Sequence, residues 1–327
     1  QHGLHQAAML GLLAGTISCG LLFTCSDFLV THVLTMNETA RAYALQYVYM
    51  AAFAAPFSGV VFAINAALRG SGDTRLPFWI MMSVGILNVI FSVIFVFADA
   101  PLGGWRIGGI AAGTVCGYGI SMCILLFIML RRRKKIFTGR KNESLEELVR
   151  ERGEHYAPPL YLSFSHLRPD MGMQKRILKI GLPQAVEVFG MWGIQMFCLS
   201  IISELPVKGV LGVHNIAVRI ESLSFLPGFA IGMAASTLVG QYLGARNALM
   251  ARITIWKCMR YAVIFMTGLG VLFSAFPALF MEIFSNGSTT LIDTGIPVLR
   301  TMLVVEPFFA ACIVMKMSLR GAGDTRR

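Results

Sequence analysis

Eight stretches of this sequence are long and apolar enough to cross a lipid bilayer, and no other feature restricts its fold as tightly. A helix rises about 1.5 Å per residue, so about 20 apolar residues cover the hydrocarbon core. The stretches run 6–26, 43–68, 78–98, 107–130, 177–203, 210–243, 261–281 and 296–319, and the third and fourth contain no charged residue. Backbone polar groups in lipid must be bonded within the segment, which predicts helices and an all-α, polytopic membrane protein. The composition agrees: 56% of the 327 residues are hydrophobic and only 14% charged, far from the balance of a soluble domain. The sixth stretch is overlong and carries Pro227 and Gly228, which predicts a kink or an extension beyond the membrane.

The net charge of +11 does not form the continuous stripe that a nucleic-acid surface needs. Lys and Arg instead recur between alternate apolar stretches. Segments 69–75, 131–179, 246–260 and 320–327 hold 2, 13, 4 and 3 of them, while the other connections, near 27–42, 99–106, 204–209 and 282–300, hold one each. The positive-inside tendency puts the first set in the cytoplasm of a multi-pass cell-membrane protein. The basic segment 131–176 opens with Arg131 to Lys135, and its charged run Glu143 to Glu154 predicts a short surface helix. It separates an N-terminal lobe, 1–130, from a C-terminal lobe, 177–327, each with four spans. The seven cysteines show no C-x-x-C spacing and the six histidines no ligand cluster. With no G-x-S-x-G, H-E-x-x-H, P-loop or dinucleotide fingerprint, nothing argues for an enzyme, a metal or an organic cofactor.

One octapeptide occurs twice. Leu68 to Arg75 reads L-R-G-S-G-D-T-R and Leu319 to Arg326 reads L-R-G-A-G-D-T-R, 251 residues later with one mismatch. At the same offset Pro56 and Phe57 meet Pro307 and Phe308, so span and loop are duplicated together. Both copies leave a helix toward the same side, which predicts two like lobes related by an axis along the membrane normal. Gly70, Gly72, Gly321 and Gly323 suit tight turns, Asp73 and Asp324 can cap a following helix, and Arg69, Arg75, Arg320 and Arg326 can hold the turns at anionic headgroups or meet across lobes as gating contacts. The prolines Pro56, Pro227 and Pro307 are candidate helix kinks.

A helix with a central proline followed by L-R-G-x-G-D-T-R, once per half, resembles the multidrug and toxic compound extrusion (MATE) transporters. Gly181-Leu182-Pro183 opening the fifth span is similar to that family too, as is Arg219 to Phe225 followed by Pro227-Gly228. The resemblance implies twelve helices in two six-helix lobes. The eight spans here then correspond to the third to tenth, with two missing at each end, in keeping with a chain that opens on Gln1 rather than Met.

Ionisable groups within spans are expensive and mark function. Glu187, Glu221 and Glu306 each stand about ten residues inside a span, which predicts a common depth near the midplane and a shared polar cavity in the C-terminal lobe. Arg219 could pair with one of them, and Gln184, Gln195 and Asn215 are uncharged candidates in the same zone. Asp27, Asp99 and Glu204 sit at the outer boundary, where water solvates them. The family resemblance implies ion coupling through carboxylates in the first and sixth helices, or in the seventh, eighth and tenth. The presumed sixth helix, 107–130, has no carboxylate, and the three glutamates fall on the other set.

The expected function is export of cationic or amphipathic organic compounds by a monomeric exchanger. Na+ or H+ would be the coupling ion, and two lobes would alternate access across the bilayer. A lipid-linked oligosaccharide flippase is the alternative within transport; an integral membrane lipid enzyme is the alternative outside it.

Overall fold

The computed structural model describes residues 2–28, 30–31, 38–98, 104–139, 160–161, 169–207, 209–285 and 287–324. Asp99, Arg326 and the run Glu143 to Glu154 lie outside them. The described elements are helices: α1 (His2–Phe28), α2 (Glu38–Ala52), α3 (Ala54–Gly70), α4 (Arg75–Phe97), α5 (Arg106–Gly139), α6 (Met171–Ser203), α7 (Val210–Gly244), α8 (Ala248–Ala275), α9 (Pro277–Ser285) and α10 (Thr289–Gly321). Among the described residues seven are long and apolar enough to cross a bilayer, and α2 with α3, bent by 45°, is a broken span or a re-entrant loop that brings the number to eight if it crosses. The chain is an all-helical, multi-pass membrane protein.

Helix ends account for the shifts from the sequence reading. The apolar stretch 261–281 straddles two helices, because α8 begins at Ala248 and stops at Ala275. Its early turns carry Arg252, Lys257 and Arg260 and so fall below an apolar window, while its start is fixed by the Asn247 side chain, which accepts from the Met250 N–H at 3.0 Å. Pro277, whose missing N–H is harmless in a first turn, opens α9. Asp170 caps α6 by accepting from the N–H groups of Gly172 and Met173. The segment 131–176 has helical edges, since α5 runs on to Gly139 and α6 starts at Met171.

Of the candidate kinks, Pro56 stands beside a break. It sits in the first turn of α3, cannot donate to the Ala52 carbonyl four residues back, and the chain bends at Phe53. Pro227 and Pro307 lie inside α7 and α10, which run through them as continuous helices.

The chain divides into two units, residues 1–177 and 178–327. In the first, Leu4 of α1, Val61, Ile64 and Leu68 of α3 and Leu125 and Met129 of α5 form one core. Glycines let α1 and α3 touch backbone to backbone: a Cβ on Gly11 would fall 2.4 Å from the Gly59 carbonyl oxygen, and one on Gly15 2.4 Å from that of Ala55. Close approach at small residues is how helices pack in lipid, where the solvent supplies no hydrophobic drive between them. Between α4 and α5, Asn88 donates to the Thr114 hydroxyl at 2.9 Å and the Ser83 and Ser121 hydroxyls meet at 2.9 Å.

In the second unit α7, α8 and α10 pack together around Ile220, Phe273 and Leu299 toward one end and Ala235, Met266 and Val314 toward the other. No residue of α6 is buried. Outward-facing apolar side chains such as Phe97, Phe189 and Phe308 suit helices solvated by lipid.

The repeated octapeptide is a repeated structure. In the first copy the N–H groups of Ser71, Gly72 and Asp73 donate to the carbonyls of Ala67, Arg69 and Leu68; in the second, those of Ala322, Gly323 and Asp324 donate to Ser318, Arg320 and Leu319, each at 3.0 Å. The bond reaching back five residues and the left-handed glycine, φ 92° at Gly72 and 81° at Gly323, make both a Schellman C-cap. Gly70 and Gly321 are not turn glycines, because each still belongs to its helix.

Candidate functional site

The predicted site residues separate into two groups. Glu306 stands at the middle of the 33-residue α10 and is 2% exposed. Its stem rests on Gly270 of α8, where an added Cβ would come within 3.0 Å of the Glu306 Cγ. The glycine thus makes the room that the acid occupies. Ser224 of α7, itself fully buried, donates its hydroxyl to the Glu306 Oε2 at 2.9 Å. Glu221, three residues before Ser224 and so on the same side of α7, lies within electrostatic reach of Glu306. Two turns before Glu221 on the same face of α7, His214 places its Nε2 3.3 Å from the Gln195 amide nitrogen of α6, with roles set by the tautomer. Two carboxylates, a hydroxyl, an imidazole and an amide from three helices therefore form one polar track through the second unit.

Glu187 does not join it. Its carboxylate is held by Lys316 and by Arg320, the latter at 2.7 Å, both on α10. Lys316 is ten residues along α10 from Glu306, about 15 Å at 1.5 Å per residue, so the expected common depth fails for Glu187. The reason is α6 itself: it starts at Met171, and Glu187 comes level with the last turns of α10 rather than with its middle. Gln184 lines the same hollow as Glu187, Lys316 and Arg320.

The remaining candidates scatter. Asn215 bonds its own helix, donating to the Leu211 carbonyl at 2.9 Å, and Arg219 is exposed and enters no ion pair among the described residues. Arg219 therefore makes no pair with Glu221 or its neighbours among the described residues. In the first loop Asp73 accepts from the Leu76 N–H at 3.2 Å, capping α4, and from Arg132 of α5 at 2.7 Å. Arg75 is exposed, and burial of Arg69 is partial. Asp27, outside both groups, pairs with Arg41 at 2.8 Å.

His214, Ser224 and Lys316 were not singled out from sequence. Each had a signal: His214 and Ser224 share a helical face with Glu221, at seven residues before and three after, and Lys316 stands four before Arg320. What sequence could not supply was the second helix in each contact.

Comparison with known proteins agrees with this architecture. The "Probable multidrug resistance protein NorM" of Thermotoga maritima is 26% identical over 321 residues, covering 98% of this chain and 63% of the relative. The "Multidrug resistance protein NorM" of Vibrio cholerae is 23% identical over 251 residues, covering 74% of this chain and 48% of the relative. This chain thus spans less than two thirds of the length of either. Among solved structures, the outward-facing conformation of a multidrug resistance MATE family transporter of the MOP superfamily superposes with a TM-score of 0.80 at 18% identity, over 99% of this chain and 66% of the other. A MATE crystallised with MaL6 gives 0.80 at 19%, over the same shares. The MatE profile matches residues 1–94 and 183–327, which takes in both Schellman loops up to the chain end and all of the polar track, so the chain belongs to the MatE family.

Proposed function

We propose that this chain is the ion-coupling core of a secondary exporter of amphipathic or cationic organic compounds, driven by Na+ or H+ and working by alternating access of its two lobes. The observation that carries the reading is the buried Glu306 carboxylate, bonded to Ser224 and neighboured by Glu221. A carboxylate buried in a membrane interior does not stay charged without a cation or a proton to balance it. An ion that binds there in one lobe arrangement and leaves in the other transmits its gradient to the transport cycle. Names of the relatives support the substrate class, and the basic segments 131–135 and 246–260 support a cytoplasmic face for the connecting loops.

The test uses the full-length gene product in vesicles with an imposed Na+ or H+ gradient. Glu306→Gln and Glu221→Gln should each elute as folded, monodisperse protein, still bind substrate, and lose gradient-driven efflux by at least tenfold. Retention of full gradient-driven efflux in both folded variants would move the coupling site elsewhere. Glu187→Gln is the internal control: engaged with Lys316 and Arg320 and apart from the track, it should keep the ion response.

A further inference from the structure

Two hollows flank the end of α10, and they share a wall. Met315 and Leu319, one helical turn apart, line both. On the side of Lys316 and Arg320 lies a hollow of about 300 Å³ completed by Gln184, Glu187 and Asp324. On the side of Ser318 and Ala322 lies one of about 320 Å³ that is apolar, walled by Val239, Leu243 and Ile255, with Trp256 and Arg252 at α8. All these residues belong to the second unit.

The polar hollow contains both signs of charge. Glu187 is 38% exposed and its partners Lys316 and Arg320 are 36% and 16% exposed, so the triad is open to a ligand from its hollow side. A purely anionic ligand there would meet Glu187 and Asp324, and a purely cationic one would meet Lys316 and Arg320. A ligand carrying one charge of each sign meets neither penalty: its anion can take over one of the two cations while the Glu187 carboxylate receives its cation. Position narrows the ligand further. Arg320 stands one residue before the end of a membrane-crossing helix, where lipid headgroups lie. The neighbouring groove is apolar and carries Trp256, 60% exposed, a residue type suited to the membrane interface.

We propose that this pair of hollows is a binding site for a phospholipid whose headgroup joins a phosphate to a primary ammonium, the phosphatidylethanolamine class. The phosphate sits on Lys316 and Arg320, the ammonium on Glu187 and Asp324, and an acyl chain crosses the ridge of Met315 and Leu319 into the groove beside Trp256. A primary ammonium has N–H donors for the carboxylates, which a quaternary choline lacks; a glycerol headgroup leaves the acids unmatched. The site adjoins the second copy of the duplicated loop. The first copy does not repeat the pair of cations, because Asn65 stands where α10 has Lys316.

The experiment measures the thermal unfolding midpoint of the full-length protein in nanodiscs. The discs contain phosphatidylcholine alone, or phosphatidylcholine mixed with phosphatidylethanolamine or with phosphatidylglycerol, and a further arm adds soluble phosphoethanolamine to the phosphatidylcholine discs. The ethanolamine lipid should raise the midpoint by several degrees above both other compositions, and the soluble compound should not. Glu187→Gln and Lys316→Gln should each remove that increment, and Trp256→Ala should reduce it. Native mass spectrometry of the unaltered protein released from a mixture of the three lipids gives a reading that needs no variant: ethanolamine lipid should be retained preferentially. Equal effects of the glycerol or choline lipid, an increment surviving in both folded variants, or matching stabilisation by the soluble compound each overturns the assignment. Glu221 and Glu306 take no part in these readings, so the outcome is independent of the coupling test.

Discussion

The two units cross their helices at one equivalent place and fill it differently. Ala55 of α3 and Glu306 of α10 are 251 residues apart, each directly before the repeated proline. In the first unit Ala55 lies against Gly15 so tightly that a Cβ on the glycine would sit 2.4 Å from its carbonyl oxygen and 2.7 Å from the Pro56 Cα. In the second, Gly270 faces the side-chain stem of Glu306, at 3.0 Å from Cγ for an added Cβ. One crossing is backbone against backbone, with no space for a polar group. In the other the stem of an acid fills the space beside the glycine, and its head is bonded to Ser224. Duplication therefore copied a scaffold, and at one equivalent position an alanine in the first copy is a buried acid in the second.

The most damaging way to break this contrast is to exchange the residues. Ala55→Glu adds a carboxylate at a half-buried position whose backbone already lies against Gly15, and folded yield should fall clearly. Glu306→Ala should remain foldable, as judged by size-exclusion profile. An Ala55→Glu variant with a normal profile would mean the first crossing is as open as the second.

The loops extend the comparison at lower cost. Gly321→Ala drives a Cβ to 2.2 Å from the Ser236 carbonyl oxygen, whereas a Cβ at Gly70 meets nothing within 4 Å. The first should destabilise by about 1–3 kcal/mol and the second should be neutral or better, since Ala exceeds Gly in a helix by about 1 kcal/mol. Unfolding midpoints of the two variants in one detergent decide it, and a similar loss in both refutes the asymmetry.

Ser224→Ala tests whether the open crossing depends on its donor. It leaves Glu306 without the bond at 2.9 Å, with an expected loss of about 1–3 kcal/mol and a changed ion dependence of efflux; unaltered ion dependence would make the serine a packing residue. Where the copies are alike, so should be the penalties. Gly72→Ala and Gly323→Ala, at φ 92° and 81°, should each cost about 1–2 kcal/mol, and a strongly unequal pair would show that the two caps bear different loads.

The smallest expected effect concerns pH and the start of α6. The His2 side chain at 2.9 Å and the N–H groups of Met173 and Gly172 hold the Asp170 carboxyl below its ordinary range. A depressed carboxylate stabilises the fold above its unfolded value and loses that contribution as pH falls through the folded one. The acid-side fall in stability should therefore flatten in Asp170→Asn. An identical acid limb in both proteins would remove Asp170 from the account.

Hydrophobic runs made the spans legible because lipid imposes one rule on every residue of a spanning helix. The run 261–281 misled for the same reason: α8 carries its charges in its first turns, outside the apolar window. The duplicated cap was legible as well, since a Schellman turn needs only a left-handed glycine and local bonds. Glu306 could be recognised as an expensive residue, but not its serine.

Sequence alone thus determined the apolar spanning segments, the duplication and Glu306 as a buried acid, all of which depend on properties of a single segment: length, hydropathy and local backbone bonding. Only the tertiary structure decided what surrounds each acid. Glu187 and Glu306 look equivalent when counted along their own helices, yet one meets Lys316 and Arg320 and the other meets Ser224 and Gly270. Where a helix begins and which neighbour stands opposite set the charge, donor and space around each carboxylate, and those are properties of packed pairs that no single segment contains.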